Sequence, residues 1–160
     1  MYAIRGLLSL LARVMIAAIF VMSAAGNKIP HFADVAKMME GKGIPQPKIL
    51  LAGAIAFLLL GGVSLVLGYR ARLGALLLLV FLGAATYYFH DIWKIAPDAP
   101  EYRDQMIQFM KNLALMGTMV FFLANGAGPW SLDNRRRAAA EETESDKPEK
   151  SAPVATRQIR

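Results

Sequence analysis

The sequence predicts an all-α fold, an integral membrane four-helix bundle with antiparallel transmembrane helices. Three uncharged apolar runs of 17 to 21 residues predict it: Ile49–Tyr69, Leu73–Phe89 and Asn112–Leu132. About 20 apolar residues at a rise of 1.5 Å per residue cross a hydrocarbon core of about 30 Å. A fourth run, Leu7–Gly26, precedes them and is interrupted by Arg13. Composition agrees, because 56% of the residues are hydrophobic, more than a soluble domain uses.

Each run is expected to be a helix, because backbone groups in lipid must find their hydrogen bonds within their own segment. The expected spans are about Leu7–Ala25, Ile49–Tyr69, Leu73–Trp93 and Met106–Ala124. The turn Arg70–Arg72 is so short that the second and third helices must be antiparallel neighbours.

The longest connection, Gly26–Lys48, contains a stretch with the pattern of a short helix. Over His31–Glu40 the apolar residues fall roughly on one side, and Lys37 and Glu40 would face water. An interfacial helix lying on the membrane fits this pattern, and a plain loop is the alternative. A second loop, Ile95–Tyr102, lies on the same side of the membrane.

The chain divides at the end of the fourth span. Residues 1–132 form the membrane domain, and residues 133–160 form a charged tail with few large apolar side chains. Such a segment buries too little surface to offset its chain entropy, so we expect it to be disordered. Arg135–Arg137 follow the fourth helix directly, where they flank the span and could touch anionic lipid head groups.

Orientation rests on the distribution of positive charges, which is even. Six Lys and Arg residues fall on each side of the membrane, so the positive-inside count ties. We place both termini in the cytoplasm, because Arg70 and Arg72 crowd a very short turn. The first helix also has the pattern of a cleaved secretory signal, with Ser23-Ala24-Ala25 as a cleavage site, and this alternative stays open.

Composition excludes several kinds of chemistry. The chain has no cysteine, so it offers no disulfide exchange, thiolate nucleophile or iron–sulfur ligand. The net charge is +6, but the basic residues form no stripe with interleaved aromatic residues, which argues against a nucleic-acid partner. We expect no metal site, and the lipid bilayer is the expected surrounding.

The candidate functional residues are polar groups at helix ends. Antiparallel threading brings Lys28, the pair His90-Asp91 and the pair Lys111-Asn112 to one membrane face, while Arg13 lies about half a span away. A charge in mid-membrane costs about 2.5–3.5 kcal/mol on insertion scales, so Arg13 should face the bundle interior or snorkel. We expect an ion pair between Asp91 and Lys28 or Lys111. These polar residues either hold the helix ends together or form a polar pocket for an anion or a quinone head group.

Several segments carry a resemblance to the DoxX family of small four-helix bacterial membrane proteins. They are ARVMIAAIFVMSAAGNKI, GKGIPQPK, LLLGGVSLVLGYRARLGALLL, YYFHDIW and QFMKNLALMGTMVFFLANGAGPWSLD, in order from about Arg13 to Asp133. The resemblance implies four transmembrane helices in the bacterial cytoplasmic (inner) membrane. It carries over six positions: Arg13, Lys28, Arg72, His90, Lys111 and Asn112. Family members often have a Glu shortly before the paired glycines of helix 2, where this chain has Phe57-Leu58-Leu59, which puts a proton relay through that acid in question.

The resemblance also gives the leading functional hypothesis. One family branch looks like the membrane subunit of a thiosulfate:quinone oxidoreductase, and other members associate with redox-related proteins. We therefore expect an accessory or anchoring subunit for a redox-related membrane complex, with a soluble or membrane oxidoreductase as partner. The alternatives are a quinone-binding oxidoreductase subunit and a small-solute transporter. Whether the chain is catalytic, and whether it forms a homo-oligomer, stays open.

Overall fold

The computed structural model describes residues 1–145, and in this part of the chain it contains helices and no strand. A π-helical turn, Ala24–Lys28, extends the helix Tyr2–Ser23, and a short 3₁₀ turn, Ile92–Lys94, follows the helix Ala71–Phe89. The helices are α1 (Tyr2–Ser23), α2 (Phe32–Gly41), α3 (Pro47–Leu67), α4 (Ala71–Phe89), α5 (Tyr102–Asn125) and α6 (Leu132–Ser145).

Four of these helices are long and apolar enough to cross a membrane. They are α1 with its π-helical turn, α3, α4 continued to Lys94, and α5. The predicted fold class is therefore confirmed, and the predicted spans start and end within a few residues of the helices. We call the side with Met1, the Arg70–Arg72 turn and α6 the terminal face. The opposite side, with α2 and the segment between α4 and α5, is the loop face.

Large apolar side chains point outward as well as inward. Met15, Leu60 and Phe121 are 67%, 63% and 62% exposed, whereas Leu58 and Leu78 are fully buried. A water-soluble protein would not expose a whole belt of such residues. In a bilayer the exposed residues contact lipid tails, so the outward belt is consistent with a membrane-spanning bundle.

Small residues let α3 pack closely between α1 and α4. A Cβ added to Gly61 would fall 2.6 Å from Leu78, and one added to Gly62 would fall 2.8 Å from Val21 on α1. Close backbone approach at small residues is a common way for helices to associate in membranes, where no water is left to drive them together. The chain therefore places α1 beside α3, α3 beside α4, and α4 beside α5.

The connection between the first two spans contains the short helix rather than a plain loop. α2 begins at Phe32 and buries Ala36 and Met39 in a small core with Ile44 and Leu51. Lys37 and Glu40 are exposed, as the pattern predicts. This core fixes α2 against the first turns of α3 on the loop face.

The start of the tail departs from the expectation of disorder. α6 runs from Leu132 to Ser145, and the remaining tail residues lie outside the described residues. The helix begins because the Ser131 hydroxyl oxygen accepts a hydrogen bond of 3.1 Å from the Asn134 amide, an N-cap contact. Ala and Glu, which favour helix, follow. Low apolar content ruled out a packed core here, but it did not rule out a capped surface helix.

Candidate functional site

Lys28 lies at the loop face but is turned toward the bundle rather than toward the other predicted site residues. Its Nζ donates a hydrogen bond of 2.7 Å to the Ser23 hydroxyl and sits 5.5 Å from the centre of the Phe81 ring. Phe81 precedes His90 by nine residues, which is about 13 Å of helix rise. The π-helical turn therefore places this ammonium group deeper than the end of α4.

His90 and Asp91 have neighbours of their own. His90 Nδ1 lies 3.0 Å from Oε1 of Gln105, which joins the end of α4 to the second turn of α5. Asp91 forms an ion pair of 2.9 Å with Lys94, three residues on. The expected pairing of Asp91 with Lys28 or Lys111 is therefore wrong. The 3₁₀ turn brings Lys94 back over the carboxylate, a local geometry that helix-end counting does not reveal.

Lys111 and Asn112 point in different directions. Asn112 donates a hydrogen bond of 3.0 Å to the Thr86 hydroxyl, linking α5 to α4, whereas Lys111 is exposed. Neighbouring residues on a helix are turned by about 100°, so only one of the two can face the bundle. Lys28, His90, Asp91 and Asn112 therefore each contact a different neighbour, and none of the contacts described joins two of these residues to each other. Whether any of them binds a ligand stays a prediction.

Arg13 lies toward the terminal face, and its side chain points into the bundle, the first of the two placements expected from the sequence. The side chain is 1% exposed. Its Nε donates to the Ser9 carbonyl at 3.2 Å and its Nη2 to the Trp130 carbonyl at 2.8 Å. Arg13 therefore faces the protein interior, and it connects the first span to the segment between α5 and α6.

Gly68 provides the space that the guanidinium occupies. This residue ends α3 with φ of +61°, in the left-handed region that favours glycine. A Cβ here would overlap Nη1 of Arg13 and approach Ser131. The negative end of the α3 dipole therefore lies beside the buried cation and stabilises it. Nη1 itself is buried without a hydrogen-bond partner.

Asp133 completes the terminal face by capping α4. Its two carboxylate oxygens accept hydrogen bonds of 2.8 and 2.9 Å from the Arg70 and Ala71 amides, and its own amide donates to the Gly68 carbonyl at 2.8 Å. We call Ser9, Arg13, Gly68, Trp130 and Asp133 the Arg13 cluster. It ties α1, the α3–α4 turn and the start of α6 into one unit.

The sequence analysis singled out Arg13 in this cluster and missed the other four members. Gly68 had a detectable signal, since a glycine directly after an apolar run marks a helix C-terminus. Asp133 had no local signal, because the helix it caps, α4, begins 62 residues earlier in the sequence, and the sequence analysis assigned it to the tail. Trp130 contributes its backbone carbonyl, and no side-chain pattern predicts such a contact.

The role that the Arg13 cluster can fill is structural rather than catalytic. A guanidinium stays protonated in proteins and offers only donors, so Arg13 cannot exchange a proton with a substrate. Its bonded partners are carbonyl oxygens. In residues 1–145, no three His, Asp or Glu side chains come close enough to hold a metal ion.

Together these features define an integral membrane four-helix bundle with a braced terminal face. Residues 8–91, just over half of the chain, match the model of the DoxX family. The chain therefore belongs to the DoxX family, which confirms the resemblance carried by its sequence segments.

Several curated proteins are similar over most of the chain. The inner membrane protein YphA of Escherichia coli K12 is 28% identical over 133 residues, which cover 83% of this chain and 93% of that protein. The inner membrane protein YqjF of the same strain is 27% identical over 124 residues, 78% of this chain and 88% of that protein. The Surfeit locus protein 4 homolog of Schizosaccharomyces pombe is 25% identical over 99 residues, 61% of this chain but 32% of that protein. No solved structure gives a match.

Proposed function

We propose that this protein is an accessory subunit that anchors a redox-related partner protein at the inner membrane. The observation that supports the proposal is the engagement of the loop-face polar groups. Lys28 bonds to Ser23, His90 contacts Gln105, Asp91 pairs with Lys94 and Asn112 bonds to Thr86. A catalyst needs an acid or base within reach of one reacting atom. Polar groups that each bond to a separate neighbour fit a scaffold better than a catalyst.

The terminal face is the better candidate for the docking side. The Arg13 cluster holds the start of α6 by three hydrogen bonds of 2.8 to 2.9 Å through Asp133. Beyond that point the side chains of α6 are exposed up to Glu144. A braced helix that projects from a membrane bundle offers a partner a fixed surface. We place this face in the cytoplasm because Arg70 and Arg72 lie in its very short α3–α4 turn, since the count of positive charges on the two faces is even.

The test is recovery of a partner from native membranes. The tagged chain is cross-linked in its host membrane, solubilised and purified, and its absorbance spectrum is recorded. We expect a co-purifying protein that carries flavin or an iron–sulfur cluster, the latter a group that a chain without cysteine cannot ligate with thiolates. Recovery of the chain alone across a range of cross-linker lengths would contradict the proposal.

A matched pair of variants localises the contact. Glu141→Lys with Glu144→Lys reverses two exposed charges on α6, and Glu40→Lys with Asp98→Lys does the same on the loop face. We expect the first pair to reduce partner recovery severalfold and the second to leave it unchanged. Equal losses in both would place the partner elsewhere.

A quinone-binding subunit is the second candidate function. His90 and Gln105 are half-buried at the loop face, and the rings of Tyr87 and Trp93 lie 6.2 Å apart close by. An imidazole and an amide beside aromatic rings suit a quinone head group. Solvent extraction of the purified protein tests this: bound quinone that disappears in His90→Ala and in Gln105→Ala would favour quinone binding over anchoring. Solute flux into liposomes would instead favour the transporter alternative.

A further inference from the structure

A notch of about 450 Å³ opens on the terminal face, between the end of α3 and the first two turns of α6. It is separate from the Arg13 cluster and from the loop-face residues. The lining residues are Leu67, Tyr69, Leu132, Arg135, Arg136 and Ala139.

The lining combines hydrocarbon with positive charge. Leu67 is the last residue of a membrane span and is 49% exposed, and Leu132 is 41% exposed. The Arg136 guanidinium lies 4.7 Å from the centre of the Tyr69 ring, a cation–π distance, which fixes it over the wall of the notch. Apolar walls therefore adjoin two guanidinium groups where the α3 span ends.

We propose that this notch binds one anionic phospholipid, with the phosphate on Arg135 and Arg136 and an acyl chain along Leu67 and Leu132. Charge complementarity favours an anionic amphiphile, because guanidinium groups bind phosphate oxygens in a bidentate manner. The position also favours it, because the head groups of a bilayer lie where the α3 span ends. A second groove of about 330 Å³, which includes Arg72 and Arg137, is lined largely by polar residues and offers no comparable apolar wall.

The test measures lipid binding to the purified full chain in detergent. Phosphatidylglycerol is compared with phosphatidylcholine by native mass spectrometry and by the shift in Tm. We expect phosphatidylglycerol to be retained preferentially. Arg135→Gln with Arg136→Gln should weaken its binding about 30-fold, the factor for losing two basic contacts to anionic lipid. An unchanged Tm in phosphatidylcholine shows that the variant is folded.

Two further variants separate a site from diffuse charge. Arg5→Gln with Arg137→Gln removes the same charge from exposed residues of the same face without altering the lining of the notch. We expect this variant to keep phosphatidylglycerol binding. Ala139→Phe keeps both guanidinium groups and fills the notch, so it should lower binding at least severalfold.

Three outcomes would overturn the proposal. The control pair could lose as much binding as the Arg135 and Arg136 pair, which would mean general attraction to the basic face. Ala139→Phe could leave binding intact, which would mean that the lipid does not occupy the notch. Inorganic phosphate at equal concentration could reproduce the Tm shift, which would make the site one for a free oxyanion.

Discussion

The Nη2 atom of Arg13 donates a hydrogen bond of 2.8 Å to the carbonyl oxygen of Trp130, 117 positions further along the chain. This contact joins the first membrane span to the segment that follows the last one. Arg13 is buried and meets carbonyl oxygens, so its solvation inside the bundle comes from backbone dipoles. Folding therefore removes a cation from lipid contact and fixes the terminal face.

Replacing Arg13 should loosen this face. Arg13→Ala removes two charged hydrogen bonds, and each such bond contributes about 1.5–3 kcal/mol in proteins. Part of this is offset because a buried charge disappears as well, so we expect a net loss of about 2 kcal/mol in unfolding free energy. Denaturation in mixed detergent measures it, and hydrogen exchange should rise over residues 126–131. Arg5→Ala, an exposed residue of the same helix, should change stability by less than about 0.5 kcal/mol.

Gly68 should tolerate no side chain. Gly68→Ala combines a positive φ with a Cβ that overlaps Arg13 Nη1, so we expect a loss of at least about 1–3 kcal/mol. Gly53→Ala on the same helix is the matched control, since nothing lies within 4 Å of its Cβ position. There, alanine should leave the bundle as stable or slightly more stable. Thermal unfolding that ranks the two variants in the opposite order would contradict the packing described for Gly68.

Asp133 should stabilise α4 although it lies at the other end of the sequence. Asp133→Ala leaves the Arg70 and Ala71 amides without their carboxylate, and loss of an N-terminal cap costs about 0.5–2 kcal/mol. The same measurement on Asp98→Ala, an exposed loop residue, should show no change. Equal stability of the two variants would mean that the cap does not hold in the membrane.

The Asn112–Thr86 hydrogen bond predicts a small coupling between α4 and α5. A double-mutant cycle with Asn112→Leu and Thr86→Val should give an interaction energy of about 0.6 kcal/mol, the average for such pairs in membranes. Lys111→Leu with Thr86→Val is the control cycle, because Lys111 is exposed. Coupling of similar size in both cycles would argue against the specific bond.

The apolar runs predicted the spans well because length and hydrophobicity alone decide what can cross a bilayer. α3 was expected at Ile49–Tyr69 and lies at Pro47–Leu67, and the fourth span was expected at Met106–Ala124 and lies within α5 at Tyr102–Asn125. The membrane sets these elements before any tertiary contact forms, so local sequence carries the information.

The site residues were harder to predict because a site depends on the direction of each side chain. The positions of the helix ends predicted the correct membrane face for Lys111 and Asn112. They did not predict the direction of each side chain: Lys111 is exposed, whereas Asn112, the next residue along the helix, is hydrogen-bonded to Thr86. Asp91 forms its ion pair with Lys94 because of a 3₁₀ turn, and that turn has no sequence signature. The contact of Arg13 with Trp130 depends on a loop path between two helices, which periodicity does not encode.

The antiparallel threading of four spans is the claim on which the rest depends. Because the chain has no cysteine, each introduced thiol is unique, and Lys42→Cys, Glu101→Cys and Arg137→Cys place single probes at exposed positions. Labelling with an impermeant maleimide in oriented vesicles should modify the first two from one side of the membrane and Arg137→Cys from the other. Labelling of Lys42→Cys and Arg137→Cys from the same side would contradict the four-span bundle.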